Sequence, residues 1–177
     1  LVLGAKYNTL KTQGNLNNEI GVPQMLFRLE DSHTAAVIEM GMNHFGEISR
    51  LTRAVAPTVG LITNIGVSHI ENLGSRAGIL QAKLEILEGM APDAPLIVNI
   101  DHDMLRTVKL GERPRLTFAI DDQSADFTAT DIAEQGSTTP FTVPHSTFNQ
   151  PVTIPTVGIP NVSNAMAAMA LGSVTGV

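Results

Sequence analysis

Three apolar runs, too short for helices and lacking polar alternation, constrain this chain more than any other feature: residues 35–39, 59–63 and 95–99, which end in Glu39, Thr63 and Asn99. Runs of this kind suit strands buried on both faces, and such strands belong to parallel sheets covered by helices. The segments between them have helical period. In 46–56 Ile48, Leu51, Thr52 and Val55 form a stripe that Pro57 ends, and in 76–90 Ile79, Leu80, Leu84, Leu87 and Met90 share a face, with Gly89 near its end. The expected class is α/β: a mostly parallel, Rossmann-like sheet with flanking helices, built from two successive βαβ crossovers.

Residues 115–120 read as a strand finishing this sheet, and a further helix is expected to start near Pro23. From Asp126 the character changes to threonine-rich alternation, with Phe127, Ala129, Phe141, Val143, Val152 and Ile154 separated by Gly136 and prolines. This predicts a small antiparallel subdomain over 126–157, set into an α/β core of 1–125 and 158–177, with Asn161 opening the last helix. The chain lacks an initiating methionine and closes on an alanine-rich helix, so it is expected to be a segment of a longer protein, truncated at both ends.

A formal charge of -6 with scattered acidic residues offers no basic face for a nucleic-acid backbone. There is no cysteine, so a metal would be held by oxygen or histidine nitrogen, which favours a hard ion such as magnesium. No apolar run approaches the roughly 20 residues that cross a bilayer. No membrane association, a cytoplasmic location and a monomeric state are the expectations.

In an open parallel sheet, ligands bind beyond the carboxyl ends of the strands. The residues there are Glu39, Gly41, Asn43 and His44 after the first run, Asn64, Gly66, Ser68 and His69 after the second, and Asp101 and His102 after the third. Glu39 and His69 on neighbouring strand ends could ligate a divalent cation, although solvated loop residues would have the same spacing. Lys83 lies three residues after Leu80, four after Ile79 and four before Leu87, on the apolar stripe. Partial burial there would lower its pKa and leave an amine able to act as a nucleophile or take up carbon dioxide as a carbamate; a snorkelling lysine would fit the same spacing. The loop 12–23 gathers Asn15, Asn17 and Asn18 with Gly14 and Gly21, a composition suited to gripping a polar ligand or simply to turning.

Four ordered segments, 14–23, 37–48, 63–71 and 82–86, resemble the substrate loop and catalytic motifs of the Mur ligases, and the likeness spans nearly the whole chain. The 15–23 loop, the turn Gly41, Met42, Asn43, His44 and the segment 126–130 look most like the branch that adds D-alanyl-D-alanine. The resemblance implies a central ATP-binding domain of an enzyme using ATP and Mg2+ to join UDP-N-acetylmuramoyl-tripeptide to D-alanyl-D-alanine through an acyl phosphate. It implies Glu39, His69 and carbamylated Lys83 as metal ligands, with His69 and Lys83 catalytic. Asn15, Asn17, Asn18, Asn43 and His44 would then contact substrate, and Asn161 and Asn164 would contact ATP. Pro160 stands where the family usually has histidine before the first asparagine, which weakens the ATP assignment.

The Gly-x-x-x-x-Gly-Lys-Ser/Thr loop that cradles phosphates is absent from these residues. The 177 residues alone are therefore expected not to catalyse ligation. Another Mur ligase or a folylpolyglutamate synthetase would share the chemistry, and a non-catalytic nucleotide-sugar or metal-binding module would share the fold.

Overall fold

A computed structural model describes residues 2–144 and 149–177. The chain divides into two compact units, the first comprising Leu1–Gly60 and Ile65–Pro95 with Val177, the second Leu61–Asn64 and Leu96–Gly176.

In the first unit, β1 (Thr9–Lys11) and β2 (Ala35–Val37) pair in parallel, Thr9 opposite Ala35 and Lys11 opposite Val37. Around them are α1 (Gly21–Leu26), α2 (Glu47–Val55), α3 (Ile70–Leu73) and α4 (Arg76–Leu84). The ends of α2 and α4 are written locally. Helix α2 has Glu47 in its first turn, Arg53 in its last and Ala56 in the left-handed conformation as its C-cap. Extended Ser75 caps α4, its hydroxyl accepting from the Gly78 N–H at 3.1 Å.

The predicted helix over 76–90 is α-helical only to Leu84, and Glu85–Gly89 tightens into a 3-10 turn. The tightening lays the turn on α2. Thr52 Oγ1 donates to the Ile86 carbonyl at 2.7 Å, and the Glu85 carboxylate accepts from the N–H groups of Gly46 at 2.8 Å and Ser49 at 3.1 Å. Val22, Met25, Ile48, Leu51, Leu73, Ile79 and Ala82 form the buried core of this unit.

The second unit is built on a sheet of order β3–β4–β5–β6: β3 (Gly60–Ile62), β4 (Leu96–Asn99), β5 (Arg115–Ala119) and β6 (Phe127–Thr128). Strands β4 and β5 run parallel with Leu96 opposite Arg115, and β5 and β6 run parallel with Phe118 opposite Phe127. Leu96, Ile97 and Val98 are fully buried, as their unbroken apolar run requires. The short α5 (Asp103–Arg106) follows β4, and α6 (Ile159–Thr175) packs on β4, β5 and β6 through Val162, Met166, Ala167 and Ala170. Strands β7 (Thr139–Pro144) and β8 (Asn149–Ile154) form an antiparallel pair with Thr139 opposite Ile154.

Three further expectations differ in detail. Strand β2 pairs with β1 in a two-stranded sheet, while β3 belongs to the four-stranded sheet, so 35–39 and 59–63 are not the two strands of one βαβ ladder. An apolar run specifies burial but not its neighbour. Phe127 and Thr128, read as the start of the antiparallel subdomain, instead extend the parallel sheet. The cause is Asp126, whose carboxylate accepts from the Thr117 N–H at 2.8 Å and hydroxyl at 2.7 Å and docks the chain alongside β5. Antiparallel pairing begins with the bridge between Thr130 and Thr142, and 145–148 of the expected segment lie outside the described residues. Finally, α6 starts at Ile159 rather than Asn161, with Pro160 in the first turn, where its missing N–H costs nothing.

Candidate functional site

The sequence-predicted metal ligands and substrate contacts all fall in the first unit. The loop between β1 and α1 is tied to the segment after β2. Asn17 Nδ2 donates to Glu39 Oε1 at 2.8 Å, the Gly41 N–H donates to the Asn17 carbonyl at 2.7 Å, and the Glu39 N–H donates to Thr12 Oγ1 at 2.8 Å. Glu39 is solvent-exposed, and its Oε2 carries no hydrogen bond among the described residues. A carboxylate with one oxygen tethered and the other presented outward is a hard donor suited to a divalent cation.

The three asparagines of this loop separate by role. Asn18 Oδ1 accepts from the N–H groups of Ile20 at 3.1 Å and Gly21 at 2.8 Å, which satisfies the start of α1. Asn17 is half-buried and turned toward Glu39, and Asn15 is exposed. In the turn before α2, Asn43 and His44 are exposed, and both lean on Glu47. The Asn43 N–H donates to Glu47 Oε2 at 2.6 Å, and His44 Nδ1 lies 3.2 Å from Glu47 Oε1. The Asn43 N–H first, and His44 beside it, hold the Glu47 carboxyl below the usual carboxylate range.

His69 is half-buried at the N-cap of α3 with φ 64° and ψ 20°, the left-handed region that a side chain other than glycine occupies at a cost of about 1 kcal/mol. Its carbonyl accepts from the N–H groups of Asn72 and Leu73, both at 3.1 Å, so the turn that holds the strained backbone also starts the helix. Lys83, in the last turn of α4, is half-buried, and burial pushes its ammonium pKa down.

Among the described residues no three histidine, aspartate or glutamate side chains gather as a metal site. A set of Glu39, His69 and a carbamate on Lys83 would contain only two such residues, its third donor being created on the lysine. The carboxylate and carbamate oxygens of such a set would suit a magnesium-type ion, whereas the imidazole is the softer donor.

In the second unit, Asn161 Nδ2 donates to the Val157 carbonyl at 2.7 Å and to Thr156 Oγ1 at 3.1 Å, which commits its donor to the preceding loop, whereas Asn164 is exposed. Asp101 binds the loop after β5: its carboxylate accepts from the N–H groups of Ile120 at 2.5 Å and of Asp121 and Asp122 at 3.0 Å each.

The family described as the Mur ligase middle domain matches residues 1–172. The chain belongs to the Mur ligase family. It is 40% identical over 171 residues to the UDP-N-acetylmuramoyl-tripeptide--D-alanyl-D-alanine ligase of Escherichia coli, covering 96% of this chain and 38% of that protein. The crystal structure of MurF from Acinetobacter baumannii superposes with a TM-score of 0.91 at 35% identity, over 99% of this chain and 39% of that one. The MurF ligase of Thermotoga maritima, solved in complex with ADP, shares the fold with a TM-score of 0.88 at 24% identity, over 99% of this chain and 41% of that one. The chain thus spans well under half the length of these Mur ligases.

Two residues of this Mur ligase domain that hold the site together were not singled out from sequence. Thr12 anchors the Glu39 backbone from 27 positions away, and Glu85 ties the turn after α4 to the start of α2 from 36 and 39 positions away. Sequence offers one clue for Glu85, a carboxylate two residues past a lysine on an apolar stripe.

Proposed function

We propose that this chain is the central, ATP-binding part of a ligase that joins D-alanyl-D-alanine to UDP-N-acetylmuramoyl-tripeptide during synthesis of the peptidoglycan precursor. The observation that most supports this reading is 40% identity along 96% of the chain to a ligase of that name. In the reaction the terminal carboxylate of the tripeptide attacks the γ-phosphorus of ATP, the bond to ADP breaks, and an acyl phosphate forms. The dipeptide amine then attacks the acyl carbon, phosphate leaves, and the amine proton passes to solvent.

The difficulty is charge. Each contact between like charges at about 4 Å costs about 4 kcal/mol at an effective dielectric of 20, so a carboxylate cannot approach a triphosphate unaided. Bound Mg2+ would supply the neutralisation and hold the phosphate oxygens. Glu39, His69 and Lys83 are the residues proposed to hold it. Burial favours the neutral Lys83 amine, whose nitrogen can bond to the carbon of carbon dioxide and lose a proton to water, giving a carbamate that carries the charge a metal needs. Asn15, Asn43 and His44, all exposed, are proposed to meet the nucleotide-sugar substrate, and Asn161 and Asn164 to contact ATP. Among the described residues no helix is long and apolar enough to cross a membrane. The proposed use of ATP supports a reaction in the cytoplasm.

The test is phosphate release by the full-length protein. It should require ATP, UDP-N-acetylmuramoyl-tripeptide and D-alanyl-D-alanine together. Release driven by a single amino acid on a shorter muramoyl precursor, or by glutamate on a folate, would replace this reading with another Mur ligase or a folylpolyglutamate synthetase.

A further inference from the structure

We propose that Asn17 is a positioning residue that fixes the Glu39 carboxylate for a divalent cation, and is not itself a contact for the nucleotide-sugar. The inference rests on the reading of Glu39 as a cation ligand. An ionised carboxylate only accepts hydrogen bonds, so the amide nitrogen of Asn17 must be the atom facing Glu39 Oε1, at 2.8 Å. The amide is itself held rigidly. Its residue donates backbone N–H to the Asn15 carbonyl at 2.8 Å and accepts from the Gly41 N–H at 2.7 Å. A Cβ built on Gly41 would stand 3.2 Å from Cγ, Nδ2 and Oδ1 of Asn17 alike, so the carboxamide lies flat against glycine, where any side chain would crowd it.

The choice of asparagine follows from what Glu39 has to do. An arginine or lysine there would orient the carboxylate but neutralise it; a neutral amide orients it and leaves its charge for the cation. Glu39 is exposed on an irregular segment, where an untethered side chain would exchange rotamers and lose that freedom on binding metal. With Thr12 holding its backbone N–H and Asn17 holding Oε1, Oε2 is the oxygen left without a hydrogen bond among the described residues.

The experiment uses the full-length ligase with Asn17→Leu, which keeps the size and removes the donor, Gly41→Ala, which keeps the amide but displaces it, and Glu39→Gln. Two readouts are taken: the Mg2+ concentration for half-maximal rate with KM for the nucleotide-sugar at saturating Mg2+, and binding of Mn2+ alone followed by electron paramagnetic resonance. Asn17→Leu should raise the Mg2+ requirement about 10-fold and weaken Mn2+ binding similarly, with the nucleotide-sugar KM unchanged. Gly41→Ala should move both metal readouts the same way by less, and it carries the test should Asn17→Leu not fold. A raised nucleotide-sugar KM with unchanged metal dependence, or no change in either, would overturn the proposal while Glu39→Gln still impairs metal use. If Glu39→Gln leaves metal use intact, the reading of Glu39 falls and the proposal with it.

Discussion

Lys83 is the residue whose chemistry and cost are most directly linked. Its folded pKa lies below the ordinary 10.5 because burial disfavours the ammonium, so the unfolded chain binds the proton more tightly than the folded one. The resulting penalty on the fold is fully present below the folded pKa, shrinks as pH rises between the two values, and is gone above 10.5. Methionine matches the unbranched stem without the charge. Lys83→Met in the full-length protein, kept free of carbon dioxide, should therefore raise the thermal midpoint at pH 7, and the gain should fade toward pH 10.5. A gain that does not change with pH would mean that burial of charge is not its source. Lys83 was legible in the sequence because a helical stripe has only one register, and a charged residue within it stands out. The hydrogen bond from Asn17 to Glu39 was not legible, since the two residues lie 22 positions apart and nothing local reports that distance.

At the scale of elements, the strongest local commitment is the seat of the turn Glu85–Gly89 on α2. A Cβ on Gly89 would stand 2.2 Å from the carbonyl oxygen and 2.3 Å from the carbonyl carbon of Thr52, which are backbone atoms of a helix and cannot swing aside. Gly89→Ala should destabilise the protein by about 3 kcal/mol, the upper end for overpacking, read as a lowered denaturation midpoint. It should also reduce ligase activity, because the same turn follows Lys83 and carries the Glu85 carboxylate that holds Gly46 and Ser49. A stability loss below about 1 kcal/mol would show that α2 and the turn can slide apart cheaply. Elements were legible where periodicity decides them: α2 and the buried run of β4 stand where the pattern puts them, and α4 starts there but gives way to a 3-10 turn at Glu85. Strand partners were not. That β2 joins β1 depends on ladder register, and that β6 adds to the parallel sheet depends on register and on the hydrogen bonds that the Asp126 carboxylate accepts; an apolar run carries neither.

At the scale of the whole molecule, the question is what a chain of charge -6 can do with a polyanionic nucleotide. Several of its arginines are already engaged by its own carboxylates: Arg50 with Glu19, Arg53 with Glu88 and Arg106 with Asp122. Arg115 is turned to the carbonyls of Leu105 and Arg106. Such pairs offset part of the cationic charge that could meet a triphosphate, and the 177 residues hold no Gly-x-x-x-x-Gly-Lys-Ser/Thr segment whose backbone N–H groups would cradle it. The cation proposed at Glu39, His69 and Lys83 would contribute, but a cation held on one side by protein ligands and on the other by phosphates gains affinity from both sides together. Calorimetric titration of Mg-ATP into the 177-residue chain should accordingly give a Kd at least about 100-fold weaker than into the full-length ligase, a difference of about 2.7 kcal/mol. Equal affinity would mean that these residues carry a complete phosphate site built on contacts other than a glycine-rich loop, and the place to look would be the exposed turn of Asn43 and His44 ahead of α2.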